Sequence, residues 1–290
     1  MSSDEDPKRT VWLNGGFISE VLARISPLDR GFLYGDGLFE TMRAEEGKVF
    51  RLARHLERLR AGLDALRIGL RGVREETWAQ ITTALLMKND LGRGAASVKV
   101  VVSRGIASGL GFPEAPGPTV LARAEAYMPP SHRMYRDGWK LHATAGGLPD
   151  AIARHKTLSY VRLLAARQQA LDAGADEALL VDPDGLIIET AAGSVLALTR
   201  DGWVRPEHRG QLAGITVEAA SRLLEDRGQP VVSRPLRLAE LASARAAWVL
   251  NSLMGIMPVR SIDDTPMPET SCDVAAELRR ELFRTENTGR

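Results

Sequence analysis

Pro129-Pro130 stands near the middle of this 290-residue chain and divides it. Two consecutive prolines remove two backbone donors and fix both φ angles, so neither a helix nor a central strand runs through them. The stretch 127–136 breaks both helical and strand periodicity and reads as a linker between residues 1–126 and 137–290. On each side of it, short apolar runs alternate with amphipathic stretches. The fold class that follows is mixed α/β, in two domains.

In the first half, Thr10–Leu13 and 16–18 flank Asn14-Gly15, the dipeptide that favours a tight hairpin. Gly31, Gly35 and Gly37 mark tight backbone across 31–43. Leu56, Leu59, Leu63 and Leu66 recur at helical spacing and predict a helix over 53–66, with another over 75–89. Residues 97–103 and 119–124 read as strands. The second half opens with a strand at 139–143 and a long helix over 158–173 that stops at Gly174. Strands at 177–181, 186–188 and 195–199 follow. A helix starts near Gly214, strands lie at 231–232 and 246–250, and a last helix covers 274–283.

The formal net charge is +1 and arginines and acids are spread along the chain, so no concentrated basic face presents itself to nucleic acid or to an anionic membrane. Cys272 is the single cysteine, which excludes an internal disulfide. Residues 1–8 are polar and acidic, and no later run reaches membrane-spanning length. The expectation is a cytoplasmic protein acting on a small molecule, with no nucleic-acid or membrane partner. No metal-ligand spacing, Walker loop or nucleophile elbow occurs, and the glycines of 105–111 lack dinucleotide-binding spacing.

Only six of the 38 basic residues are lysine, at positions 8, 48, 88, 99, 140 and 156. In so arginine-rich a chain, a lysine in a structured region points to chemistry that guanidinium cannot perform. Imine formation is such chemistry, since it needs a primary amine that can lose its proton. Lys156, in Arg154-His155-Lys156-Thr157, stands at the expected entrance of the long helix, where the dipole disfavours a cation. Taken alone it also reads as a solvated surface lysine, the commoner state of any lysine. Glu189 ends an apolar strand, either as a surface charge or as a carboxylate for a cationic ring nitrogen. Gly214-Ile215-Thr216 opens a helix whose N–H groups suit a phosphate, or simply cap that helix. Asn251-Ser252 forms a second polar turn, and Arg58 is either a solvated arginine or a bidentate anion ligand.

Taken in order, these pieces resemble the fold type IV (class IV) pyridoxal-phosphate enzymes, which include branched-chain aminotransferases, D-amino-acid aminotransferases and aminodeoxychorismate lyases. The blocks that carry the resemblance are Trp12-Leu13-Asn14-Gly15, Asp29-Arg30-Gly31 running on to Glu40-Thr41, 55–59, Ser103-Arg104-Gly105 and Lys156-Thr157-Leu158-Ser159-Tyr160. Asp176-Glu177-Ala178, Glu189-Thr190, Gly214-Ile215-Thr216 and 251–259 complete them. The resemblance implies a small amino-terminal α/β domain, a larger pseudo-barrel α/β domain, pyridoxal 5'-phosphate between them and a homodimer. It makes Lys156 the Schiff-base lysine and proton shuttle, and Glu189 the partner of the pyridine nitrogen. It gives the phosphate to Arg58, Ile215, Thr216, Asn251 and Ser252, and brings Tyr160 to the phenolic oxygen. Tyr34 and Arg104 are implied on the substrate side.

Within that group, Asn251-Ser252-Leu253-Met254-Gly255-Ile256-Met257-Pro258-Val259 and the block 32–41 look most like aminodeoxychorismate lyases, which release pyruvate and form p-aminobenzoate. Two positions depart from the pattern. Leu110 stands where lyases commonly carry an arginine for a substrate carboxylate, and Ser194 where most of the family has asparagine. The alternative reading is a transaminase of D-amino acids, branched-chain amino acids or small amines. A chain that kept the fold only for binding or dimer formation would need neither Lys156 nor Glu189.

Overall fold

The computed structural model describes residues 9–70, 75–146, 152–268 and 272–284; the polar segment 1–8 lies outside them. The chain forms two compact units. One comprises Met1–Pro129 with His155–Ser159, the other Pro130–Arg154 with Tyr160–Arg290.

The first unit holds strands β1 (Thr10–Leu13), β2 (Gly16–Ser19), β3 (Gly37–Glu45), β4 (Lys48–Val49), β5 (Ala95–Ser103) and β6 (Thr119–Ala126). Its helices are α1 (Arg30–Tyr34), α2 (Leu52–Ala65) and α3 (Glu75–Lys88). The strands form one antiparallel sheet in the order β2-β1-β6-β5-β3-β4. Asn14 and Gly15 turn the first hairpin, both at positive φ.

Register explains the two faces of this sheet. Leu38, Glu40 and Met42 of β3 pair with Val102, Val100 and Val98 of β5, so these six side chains share a face, and all are buried. Leu56, Leu59 and Leu63 of α2 and Leu85 and Leu86 of α3 are buried with them. The opposite face carries Phe39, Thr41, Lys99, Val101 and Arg123 and is more open to solvent.

The second unit contains α4 (His132–Asp137), β7 (Trp139–Ala145), α5 (Val161–Asp172), β8 (Glu177–Val181), β9 (Ile187–Thr190), β10 (Ser194–Thr199) and β11 (Gly202–Pro206). Then come α6 (Ile215–Glu225), β12 (Val231–Arg234), α7 (Leu238–Ala242), β13 (Ala246–Asn251), β14 (Gly255–Ile262), β15 (Thr265–Pro266) and α8 (Cys272–Leu282). The strand order is β12-β11-β10-β13-β14-β7-β8-β9, with β15 on β14. The terminal strand β9 returns beside β10, which curls the sheet. Trp203 and Trp248 stack at 4.3 Å in one of its cores, and Leu179, Ile187, Val195 and Val249 lie in another.

Two expectations are corrected. The long helix begins at Val161 rather than at residue 158. Residues 156–158 are instead extended along the start of β3: Phe39 N–H donates to Lys156 O at 2.9 Å, Leu158 N–H donates to Gly37 O at 2.9 Å, and Leu38 bridges Thr157. Backbone pairing with β3 outcompetes helix extension and ties His155–Ser159 to the first unit, although they follow the linker in sequence. Gly37 permits the approach, because a Cβ there would lie 2.4 Å from Val102 O and 2.8 Å from Leu158 Cδ1. The glycine-punctuated stretch 31–43, read as tight backbone, is taken up by α1 and most of the nine-residue β3.

Candidate active site

The candidate residues form two groups, one in each unit. In the first unit Lys156 is held by the strand pairing just described, and its Nζ lies 4.5 Å from the centre of the Phe39 ring. Lys99 Nζ lies 4.6 Å from the same centre. Two primary amines therefore share one aromatic ring, each gaining cation–π attraction. Partial burial lowers the Lys99 pKa, and the neighbouring Arg123 charge lowers it further against the pull of Glu125. The helix-dipole argument for Lys156 does not hold, since no helix begins there.

Behind Phe39 on the same strand, Glu40 turns the other way into the core and is 1% exposed. Arg58 Nε donates to Glu40 Oε1 and Nη2 to Oε2, both at 2.7 Å. His55, one turn earlier on α2, meets Oε2 through Nδ1 at 2.7 Å. Burial alone would raise the Glu40 pKa, but hydrogen bonds from His55 and Arg58 outweigh it and bring it to about 2. Burial lowers the His55 pKa despite Glu40, so the imidazole stays neutral.

Arg104, expected on the substrate side, is turned into the first unit. It is 2% exposed and all its donors are committed inside the unit. Nε and Nη2 take the two oxygens of Asp36 at 2.7 and 3.1 Å, Nη2 also reaches Leu66 O, and Nη1 reaches the carbonyls of Arg67 and Pro113. Arg30 shares Asp36 at 2.7 Å and binds the carbonyls of Gly109 and Gly111. The pair of arginines pins the loop that carries Leu110, which is itself 89% exposed. Tyr34, at the end of α1, is exposed with its ring 4.9 Å from the Arg30 guanidinium carbon.

In the second unit α6 starts at Gly214 without a side-chain cap, so its first N–H groups have no side-chain acceptor at that residue. Thr216 Oγ1 lies 3.5 Å from Ser252 Oγ beside this start. A Cβ on Gly214 would meet Ser194 Oγ at 2.2 Å, so the helix start packs directly on β10. Asn251 shapes the turn after β13: its Oδ1 accepts from the N–H groups of Leu253 and Met254, and its Nδ2 donates to Ala192 O. Its side chain is spent on presenting Ser252. Ile215 is buried in the helix and contributes backbone.

Glu189, on β9, is half-buried. Tyr160 donates its hydroxyl to Ala191 O at 2.8 Å. Burial, then the charges of Glu189 and Glu177, push its phenol up to about 12, so it remains a donor. In the second unit, backbone N–H groups with two hydroxyls suit an anion and a carboxylate suits a protonated ring nitrogen; in the first, a primary amine suits a carbonyl. Each is a chemistry that pyridoxal phosphate calls for.

The profile described as Amino-transferase class IV matches residues 37–262. The chain belongs to this family. It is 32% identical over 284 residues, 96% of each chain, to a putative branched-chain-amino-acid aminotransferase of Methanocaldococcus jannaschii. It is 28% identical to the aminodeoxychorismate lyase of Bacillus subtilis over 271 residues, 93% of this chain and 92% of the lyase. The crystal structure of a T.th. branched-chain amino acid aminotransferase with pyridoxamine 5'-phosphate superposes with a TM-score of 0.85 at 25% identity, covering 94% of this chain and 92% of the aminotransferase. The mixed α/β fold is accordingly that of the class IV, fold type IV enzymes, and the chain is an enzyme of that family.

Sequence reading missed Lys99 and Glu40. Lys99 carried a signal, as a charged side chain within an apolar strand and one of few lysines in an arginine-rich chain; Glu40 carried none, because its strand is mixed in character. Among the described residues no helix is long and apolar enough to cross a membrane.

Proposed function

We propose that this enzyme uses pyridoxal phosphate to convert aminodeoxychorismate into p-aminobenzoate and pyruvate. The observation that carries this reading is the pair of amines, Lys156 and Lys99, on the Phe39 ring. One amine is needed to hold the cofactor. A second fixed cation, with Arg123 on the same sheet face, suits a substrate bearing two carboxylates and offers little to an apolar side chain. Lys99 thus supplies the contact that Arg104 cannot make and Leu110 lacks. The lyase-like segment 251–259 and the Bacillus subtilis relative support the same reading.

In this reading Lys156 holds the cofactor and Glu189 keeps its ring nitrogen protonated. Arg58, the α6 start at Ile215 and Thr216, and the Asn251-Ser252 turn bind the phosphate, while Tyr160 is the residue that approaches the phenolic oxygen. The bound cofactor supplies an electron sink for charge at the amino-bearing carbon. Lys156 takes the proton from that carbon, Lys99 holds a substrate carboxylate, and Tyr34 lines the substrate side. A homodimer belongs to the same proposal, supported by Phe32, Leu33, Ile106 and Leu110, apolar residues exposed on the first unit.

The second reading, transamination, is favoured by Leu110, which suits an apolar side chain, and by the Methanocaldococcus jannaschii relative. The deciding experiment supplies aminodeoxychorismate to purified, cofactor-loaded protein without a keto acid. Sustained release of p-aminobenzoate and pyruvate supports the lyase. Absence of product, together with turnover of D-alanine or a branched-chain amino acid when a keto-acid acceptor is present, supports the transaminase.

A further inference from the structure

Glu40 is the most deeply placed charge of the first unit, and nothing in the chemistry above requires it to touch substrate. It has three features that an ordinary buried ion pair lacks. First, both its oxygens bind Arg58 in a fork, which fixes the plane of the guanidinium as well as its position. Second, His55 closes on Oε2 from the same helix face, and its neutral ring adds a hydrogen bond without adding a competing charge. Third, Glu40 is covalently next to Phe39, whose N–H holds the Lys156 carbonyl and whose ring underlies Nζ. Successive strand residues point to opposite faces. Two consecutive residues of one strand therefore hold the two cations, Phe39 holding Lys156 and Glu40 holding Arg58.

We propose that Glu40 is a positioning residue that aims Arg58 at the cofactor phosphate and sets its place relative to Lys156. This rests on the reading in which Arg58 binds that phosphate. Glu40 acts through Arg58 alone: it orients a cation that a solvent-exposed arginine would hold in many rotamers, and so removes the ordering cost from the binding step. His55 locks the carboxylate against rotation.

The test is titration of the cofactor-free protein with pyridoxal 5'-phosphate and, in parallel, with pyridoxal, which lacks the phosphate. Glu40→Gln is expected to weaken pyridoxal 5'-phosphate binding roughly ten- to hundredfold while changing pyridoxal binding little. Arg58→Ala is expected to do the same, and Glu40→Gln added to Arg58→Ala is expected to weaken binding no further. Because Glu40→Gln leaves a buried arginine less well paired, Glu40→Asp is the second variant. It keeps the charge but draws the guanidinium back by a methylene, and is expected to lose phosphate-dependent affinity with a smaller fall in melting temperature than Glu40→Gln. Unchanged pyridoxal 5'-phosphate affinity in Glu40→Asp and Glu40→Gln, or full additivity with Arg58→Ala, overturns the proposal. Unchanged affinity in Arg58→Ala itself instead overturns the assignment of Arg58 to the phosphate.

Discussion

At the residue scale, the decisive distinction is between charges spent on the fold and charges kept for chemistry. Arg104 and Lys99 were both visible as basic residues on or beside one strand, yet the first ends in a closed set of carbonyls and the second on an aromatic ring. Replacing Arg104 by methionine strands the carbonyls of Leu66, Arg67 and Pro113 and leaves the Asp36 carboxylate only its hydrogen bond from Arg30. Loss of one partner of such a buried set costs about 3–5 kcal/mol, so a marked fall in the thermal unfolding temperature is expected. Parent-like stability combined with a raised KM would return Arg104 to the substrate. Lys156→Ala should behave in the opposite way. The backbone hydrogen bonds to Phe39 and Gly37 survive it, so the unfolding temperature should stay close to that of the parent. Visible absorbance of bound cofactor and turnover should both disappear. Turnover at the parent rate would refute the central role of this lysine. Such a division of roles is not written in residue type, because it depends on which carbonyls the fold brings within reach.

At the element scale, the strands and helices with plain periodicity were legible. β1 and β8 match their expected limits, and α2 and α3 are shifted by no more than a residue at either end. β3 was not, and the reason is physical. A strand buried on both faces along most of its length, with a paired glutamate in its centre, lacks the simple alternation that marks a half-buried strand. The segment around Lys156 was legible as motif but not as conformation, since its extended form is set by β3, more than a hundred residues earlier. The start of α6 offers a prediction at this scale. Gly214→Ala places a methyl 2.2 Å from Ser194 Oγ and 2.9 Å from Val217 Cγ1. Overpacking of this kind costs about 1–3 kcal/mol and displaces the first turn. Gly214→Ala should therefore lower both stability and affinity for pyridoxal 5'-phosphate, and Ser194→Gly in the same chain should restore part of each. No recovery in the double variant would mean that the contact with β10 is not what positions the helix start.

At the scale of the whole molecule, the buried carboxylates are distributed unequally, and their titration should separate the two units. Glu40 and Asp36 of the first unit both sit below the ordinary carboxylate range; in each, hydrogen bonds and charges from arginine, with His55 added for Glu40, overcome burial. A group whose pKa is lower in the folded state adds stability that is complete above its ordinary value, 4.5 for glutamate, and is lost as pH falls toward the folded value, about 2 here. For Glu40 alone this amounts to about 3 kcal/mol. Glu177 of the second unit has the opposite sign. Burial raises its pKa against the partial relief of Arg167, so the folded unit binds this proton more readily than the unfolded chain, and acid strengthens it. Asp137 and Glu240 of the second unit are also lowered, but their arginine partners lie nearer solvent and such pairs contribute little. Asp182, lowered against burial by the N–H groups of Leu186 and Asp184 and by His208, is the one counterpart to Asp36 among the shifted carboxylates of the second unit's described residues. Between pH 4.5 and 2 the first unit should open before the second. Hydrogen exchange read by peptide mass should show protection lost in β3, β5 and α2 while β8, β10 and β13 stay protected. Glu40→Gln should flatten this dependence, because the variant has already lost the titrating group. Simultaneous loss of protection in both units at every pH would show that they unfold as one, whatever the balance of their carboxylates.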